Sequence, residues 1–267
     1  MEIVGICMIQ NEDLFIEQVI KNIVHFCDKI IVLDNNSTDK TIDIVKNICM
    51  KNSKVEFREL EHTKDAICHI QEYIGKEIWI FGVDGDELYY PKGLQIFRKK
   101  IFSGEYQKYW KIGGYFFHVC WLNEKKTKAH GWFAPPSKEV TKLRNMALLK
   151  DWKPDGINSL FHSKYNLLKD VDILKKYMYE NKTWDECILK CLHVRFLKRS
   201  SLESKKIPGI KSNLRYYGIR LNPSDKNHKI VEAEFLEKGY IKGYRNKYRE
   251  GSKHTLIIKE FFTREKK

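Results

Sequence analysis

Glycine is missing where a nucleotide-binding chain most often needs it. Residues 2–9 form a nearly continuous apolar run, and no glycine follows between Ile9 and Phe26. A dinucleotide fold needs glycines in that first strand-to-helix turn so that the backbone can approach a pyrophosphate, and Met8-Ile9-Gln10-Asn11-Glu12 stands there instead. A GxxxxGK[ST] phosphate loop is also absent from the 267 residues. The chain has no apolar run approaching the ~18 residues that span a bilayer, and its start, Met1-Glu2-Ile3-Val4, is not a basic segment followed by a signal-type core. These absences lead us to expect a cytoplasmic protein, with contact at a membrane surface left open. The seven cysteines are scattered and odd in number, which points to reduced structural thiols. Only Cys187 and Cys191 lie close together, and no second pair completes a zinc pattern. Internal repeats and low-complexity segments are lacking as well.

What is present is a globular composition, 42% hydrophobic and 13% aromatic, in a chain long enough to bury a large core. The net charge of +14 is concentrated at one end. Residues 187–267 carry 21 lysines and arginines against 8 carboxylates, while residues 1–186 carry 28 against 27. Such a field attracts polyphosphates, nucleic acid, acidic glycans or anionic lipid, and charge alone does not choose among them.

Residues 2–9, Lys29–Leu33, Val55–Leu60 and Ile78–Val83 read as strands. The segments between them, Leu14–Phe26, Lys40–Met50 and Asp65–Gly75, read as helices. That alternation predicts an α/β fold with a mainly parallel central sheet flanked by helices. Beyond Pro91 we expect a helix over Leu94–Phe102, a strand over Gly113–Leu122 and a polar loop at 123–138. A strand over Val140–Leu149, a turn at 150–158 and helices over Val171–Glu180 and Trp184–Leu192 follow. Residues 207–267 mix basic residues with tyrosines and phenylalanines, and a helical extension or lid is expected there. The domain reading is 1–206, in halves 1–90 and 91–206, followed by a basic extension 207–267.

The fourth strand ends in Asp84-Gly85-Asp86-Glu87. Two carboxylates thus meet at the carboxyl end of a strand, where open α/β sheets bind ligands. Hard divalent cations take oxygen ligands and are usually held by one or two carboxylates, with substrate phosphates and water completing the shell. A plain Asp-Gly turn after a buried strand accounts for the same residues. A metal-bridged diphosphate nevertheless becomes the more economical chemistry once the glycine-rich loops are excluded.

Four segments then line up in order: Cys7-Met8-Ile9-Gln10-Asn11-Glu12, Ile31 to Thr41, Phe81 to Glu87, and His193-Val194-Arg195-Phe196-Leu197-Lys198-Arg199-Ser200 on to Lys205. Together they resemble the family 2-like glycosyltransferases of the nucleotide-sugar-binding GT-A fold, including the group with a late His-x-Arg-x-x-x-Ser segment. The resemblance implies a nucleotide-diphosphate sugar donor, a Mn²⁺ or Mg²⁺ cofactor and a glycan or lipid-linked acceptor. It implies that Asn11, Glu12, Asp34 and Asn36 surround the nucleotide, that Asp84 and Asp86 bind the metal, and that His193 adds a ligand or meets the diphosphate. Arg195, Lys198 and Arg199 would neutralise charge on the leaving group. Read without it, Asp34 and Asp39 cap the next helix, His193 is a core histidine, and the late lysines are a solvated face.

Inverting transfer also needs a base for the acceptor hydroxyl. The candidates are Asp155 first, Glu139 second and the pair Asp185-Glu186 third, with His162 competing for the role of His193. Trp121, Trp132 and Phe133 fit sugar stacking and buried core equally well. The alternatives are a sugar-phosphate nucleotidyltransferase, disfavoured by the glycine-free first loop, and nucleic-acid binding through the basic carboxyl-terminal segment. No recognised nucleic-acid-binding signature supports the second of these.

Overall fold

The computed structural model describes residues 1–61, 63–133, 141–153, 164–168, 174–194, 197–202 and 254–262. Its first ninety residues alternate as read: β1 (Glu2–Ile9), α1 (Ile16–Ile23), β2 (Lys29–Asp34), α2 (Thr41–Lys51), β3 (Val55–Glu59), a 3-10 turn at Thr63–Ile67 running into α3 (Cys68–Gln71), and β4 (Ile78–Asp84). β5 (Glu87–Tyr89) and α4 (Pro91–Phe102) follow. β1 pairs in parallel with both β2 and β4, and β2 with β3. These strands are buried on both faces, which is why they read as unbroken apolar runs. Ile3, Cys7, Val32, Trp79, Phe81 and Val83 face one core, with α1 and α4. Val4, Ile6, Ile31, Leu33 and Ile80 face the other, under residues 66–73 and 146–152.

The second half adds β6 (Tyr109–Gly113), β7 (Tyr115–Leu122), β8 (Lys128–Phe133), β9 (Thr141–Asn145), β10 (Leu149–Lys153), β11 (Lys164–Leu167), β12 (Leu174–Tyr177), β13 (Lys190–His193) and β14 (His254–Ile257). The first sheet has the order β12-β6-β9-β4-β1-β2-β3, with β9 antiparallel to both β4 and β6. A second sheet has the order β14-β8-β7-β13-β5, and β10 and β11 form a separate pair. The architecture is thus α/β with a mainly parallel central sheet, as expected of a GT-A-type fold.

Several local expectations are corrected. The segment 184–192 carries apolar residues at helical spacing but forms a turn and β13, because the strand is buried on both sides and pairs with β7 and β5. Residues 174–177 are likewise a strand, parallel to β6, within the stretch expected as a helix. The polar loop at 123–138 is in its first part a turn closed by the Asn123 carboxamide on the amides of Thr127 and Lys128, then β8. The strand expected over 140–149 is broken at Met146–Leu148, and the expected turn after it begins as β10. Of the carboxyl-terminal extension only residues 254–262 are described, and they are β14 and a 3-10 turn, not a helix. The six cysteines whose side chains are described are all free thiols.

Candidate active site

The loops after β1 and β2 are stitched to each other. Asn11 and Asn36 both adopt left-handed backbone, at φ 57° and 59°, a conformation asparagine tolerates better than most residues. The Asn11 amide donates to Ser37 Oγ at 2.8 Å, and its side-chain oxygen accepts from the Thr38 and Asp39 amides. The Glu12 amide donates to Thr41 Oγ1 at 2.8 Å. Asp39 accepts from the Thr41 amide just before α2, whose N-cap position is Lys40, and from the Ser200 hydroxyl. Asp34 is buried at the tip of β2. Its Oδ2 accepts from the Ser37 amide at 2.9 Å, while Oδ1 has no hydrogen-bond partner among the described residues. A buried carboxylate oxygen left open at a strand end is an acceptor available to a ligand hydroxyl or amide.

β4 brings Asp84 and Asp86 beside these loops. The Gly85 amide donates to the Met8 carbonyl, and a Cβ on Gly85 would stand 2.7 Å from Glu12 Cγ and 3.1 Å from Ile9 Cγ2. Close approach, not positive φ, therefore requires glycine here. Asp86 is almost fully buried. Its Oδ2 takes the Arg199 guanidinium at 2.5 Å, and its Oδ1 faces His193 Nε2 at 3.3 Å. Arg199 also pairs with Glu12 at 2.9 Å, so one guanidinium ties the β1 loop to the aspartate turn. β13 lies antiparallel to β5 with His193 opposite Glu87, and the Val194 amide donates to the Asp86 carbonyl. The late segment is anchored further by Leu14 to the Arg199 carbonyl and by Ser201 to Asp13.

Asp84 is half exposed and points elsewhere, to Lys142 Nζ at 3.7 Å. Lys142 is buried and bonds Glu87 at 2.5 Å. Glu87 also accepts from the Tyr89 hydroxyl and the Asp84 amide. Burial pushes the Glu87 carboxyl up, to about 7, with Asp84 adding to the rise and Lys142 opposing it. Burial works against charge on Lys142 too, but Glu87 and Asp84 hold its pKa above the ordinary lysine value.

Of the residues singled out from the sequence, Asn11, Glu12, Asp34, Asn36, Asp84, Asp86, His193 and Arg199 belong to or adjoin this cluster. Lys198 turns its amine to the Ser201 carbonyl. Glu186 is exposed and closes a turn on Thr183, and Asp185 beside it is exposed. Asp155, Glu139, His162 and Arg195 lie outside the described residues. Sequence reasoning missed Lys142 and His118. The Thr141-Lys142-Leu143-Arg144 alternation was the available signal, since it puts two cations on one face of a strand. His118 lies beside His193, the rings tilted at 50° with centroids 5.0 Å apart.

Among the described residues no group of three or more His, Cys, Asp or Glu side chains converges as a ready-made metal site. The pair Asp86 Oδ1 and His193 Nε2 still fits a divalent cation. Donor atoms 3.3 Å apart are at the spacing of adjacent ligands on one ion with bonds of ~2.1 Å, and a cation so held would complete its shell with phosphate oxygens and water.

Solved structures resemble the chain only distantly. Glucosyl-3-phosphoglycerate synthase from Mycobacterium tuberculosis, in complex with Mn²⁺, UDP and glucosyl-3-phosphoglycerate, is 19% identical over 44% of each chain with a TM-score of 0.33. Mannose-6-phosphate isomerase from Helicobacter pylori is 12% identical over 72% of this chain and 96% of that one, with a TM-score of 0.34. Similarities at such scores do not bear on the reaction. An uncharacterized glycosyltransferase of Rickettsia bellii is 29% identical over 167 residues, 62% of this chain and 53% of that protein, so the match spans about half the length of this curated relative. The family model described as "Glycosyl transferase family 2" matches residues 6–150, more than half of the chain, from within β1 through β9, and the chain belongs to that family.

Proposed function

We propose that this protein is a metal-dependent glycosyltransferase that moves a sugar from a nucleotide-diphosphate sugar to an acceptor hydroxyl on a glycan, glycolipid or protein-linked glycan, with inversion. The observation that carries this reading is the Asp86–His193 donor pair, which lies at the same carboxyl end of the family 2 sheet as the buried Asp34, whose Oδ1 has no hydrogen-bond partner among the described residues. Asp34 would accept from the nucleotide, and the left-handed Asn11 and Asn36 shape the loops around it. Asp86 and His193 would hold Mn²⁺ or Mg²⁺, which when bound supplies positive charge against the leaving diphosphate. Arg199 holds Asp86 in place through the 2.5 Å ion pair to Oδ2. Lys142 places a second fixed cation at the half-exposed Asp84, where the donor's charge would otherwise be repelled.

The base is assigned to Asp155, with Glu139 as the second candidate, and Arg195 and Lys198 remain candidates for phosphate contact. The excess positive charge of residues 187–267 suits an anionic or membrane-borne acceptor at the cytoplasmic side. No helix among the described residues is long and apolar enough to cross a membrane. The test is a thermal-shift and calorimetric titration with UDP-, GDP-, CMP- and TDP-sugars, each with and without Mn²⁺, since a ligand of the folded state raises its apparent stability. A metal-dependent shift with one nucleotide, lost in Asp86→Asn, is expected. Binding unaltered by that substitution would overturn the assignment of the donor pair.

A further inference from the structure

The second sheet presents two faces of different character. On one, Tyr115, Phe117 and Phe133 pack against Trp184, at centroid distances of 5.6 to 6.1 Å, and Trp184 stacks on Phe261. That face is spent on the core, and Phe133 with it. The other face starts at the donor pair. His193 on β13 is the register partner of His118 on β7, and His118 is the partner of Trp132 on β8. Register partners project to the same side of a sheet, and residues two apart on one strand share that side. His130 therefore follows Trp132 on this face, and beyond a bulge in β7 its partner is Trp121, with ring centroids 4.6 Å apart.

His130 Nδ1 is hydrogen-bonded at 2.7 Å to the hydroxyl of Thr255, its partner on β14. Burial falls steadily outward: His118 is buried, Trp132 and His130 are half-buried, and Trp121 is 45% exposed, with Ile257 opposite Lys128 at 55%. Gly131, between Trp132 and His130, sits where a Cβ would stand 2.0 Å from the His118 carbonyl, so the two strands are held together under the row.

We propose that this row, His118, Trp132, His130 and Trp121, is the acceptor platform, and that the acceptor it takes is a saccharide of several rings. The inference rests on the donor-site reading and extends it. From His193 to Trp132 is two strand spacings, about 10 Å, and Trp132 to His130 adds about 7 Å along β8. That length suits an oligosaccharide whose terminal hydroxyl reaches the donor while its remote rings lie on the row. The chemistry suits it as well. The ring faces of Trp121 and Trp132 are electron-rich and attract the C–H face of a pyranose, while imidazole, indole N–H and the Thr255 hydroxyl alternate with them to meet its hydroxyls. A lipid surface calls for apolar protrusions without that interleaving.

The experiment titrates maltotriose, chitotriose and mannotriose into the full chain by calorimetry and ligand-observed NMR. The same titrations are run on Trp121→Ala and Trp121→Phe, beside sedimentation with vesicles of phosphatidylcholine and phosphatidylglycerol. At least one trisaccharide is expected to bind, about tenfold more weakly to Trp121→Ala and close to normally to Trp121→Phe, which keeps a ring face. Trp121 is exposed, so the substitution leaves the fold intact. Failure of all three sugars to bind, equal binding by Trp121→Ala, or Trp121-dependent vesicle binding without saccharide binding would each overturn the proposal. A parallel titration with nucleotide diphosphate and Mn²⁺ separates the two readings. Saccharide binding without nucleotide binding supports the platform and removes the donor site, and the reverse removes the platform alone.

Discussion

At the carboxyl ends of β1, β2 and β4 nearly every functional side chain is fastened to another by an ion pair or hydrogen bond, whereas along the face of β7 and β8 the rings of His118, Trp132, His130 and Trp121 grow steadily more exposed outward. Arg199 alone joins Glu12 and Asp86, and Lys142 joins Glu87 and Asp84. Trp121, by contrast, is 45% exposed and has its ring 4.6 Å from that of His130. The difference has a physical source. A site that must gather a diphosphate and a cation has to hold buried carboxylates and cations in register, and buried charges survive only when paired. A surface that grips neutral rings needs flat area and a few polar tips. Substitutions at the first site should therefore disturb stability and chemistry together, and at the second affinity alone.

The sharpest test of that contrast is Asp86. Replacing it by Ala takes one of two carboxylates from the Arg199 guanidinium, leaving Glu12, and removes the partner of His193 Nε2; breaking such a buried pair costs about 3 kcal/mol. Loss of transfer or donor hydrolysis by ~10²–10³-fold is expected alongside. Asp86→Asn, which keeps the shape, should retain most of the stability and lose the activity. Chemical denaturation and steady-state kinetics on both variants check this. For Trp121→Ala a stability change within about 0.5 kcal/mol is expected, as for other surface positions. A stability loss there as large as at Asp86 would break the comparison.

Lys142→Met should come next in size. It leaves Glu87 buried without its cation at a cost of about 3 kcal/mol, and the double substitution with Glu87→Leu should recover much of that, because an apolar pair of similar volume replaces the ion pair. A double-mutant cycle by urea denaturation measures the coupling, and additive losses would mean that the pair is not a unit.

Gly85→Ala is expected to cost about 1–3 kcal/mol, the range for overpacking a close contact. Its Cβ meets Glu12 Cγ at 2.7 Å, and Glu12 cannot swing away freely while it holds Arg199. Removing that Cγ with Glu12→Ala should therefore relieve part of the cost. Thermal denaturation of the two single variants and the double variant decides it.

What could be read in the sequence divides along the same line. Asn11, Asp34, Asp84 and Asp86 each follow an apolar run in the chain, so strand and ligand-bearing tip are local to each other and visible as one pattern. Lys142 could not be found that way. It reaches Asp84 because β9 inserts antiparallel beside β4 from sixty residues downstream, and that register is fixed by tertiary packing. His118 and Trp132 join His193 through pairings equally remote in sequence. The misreading of 184–192 has the same cause. Trp184, Cys187, Ile188, Cys191 and Leu192 have helical spacing, yet the last two are apolar because β13 is covered on both sides. A four-residue strand carries too little periodicity to announce itself against such a pattern.

Among the ion pairs the smallest expected effect lies away from both surfaces, at Asp28 after α1. Its carboxylate accepts from the Ile3 amide at 2.9 Å and from Arg98 at 2.6 and 3.1 Å, pinning the start of β1 to α4. Partial burial works against its charge, but the Arg98 guanidinium and the Ile3 amide outweigh it and hold the pKa below the ordinary aspartate value. Because the folded state binds the proton less readily than the unfolded chain, the stabilisation is fully present above the ordinary carboxylate range. It is lost as pH falls through the depressed value. With the pair partly solvated, a contribution of about 1 kcal/mol is expected. Stability curves from pH 7 down to pH 2.5 should thus fall less steeply for Asp28→Asn than for the parent chain at the acid end, while nucleotide and trisaccharide binding at neutral pH stay as they were. An unchanged acid limb would show that the Arg98 pair is no stronger in the folded protein than charge in water, and that the tight pairing of the donor end does not extend to this edge of the first core.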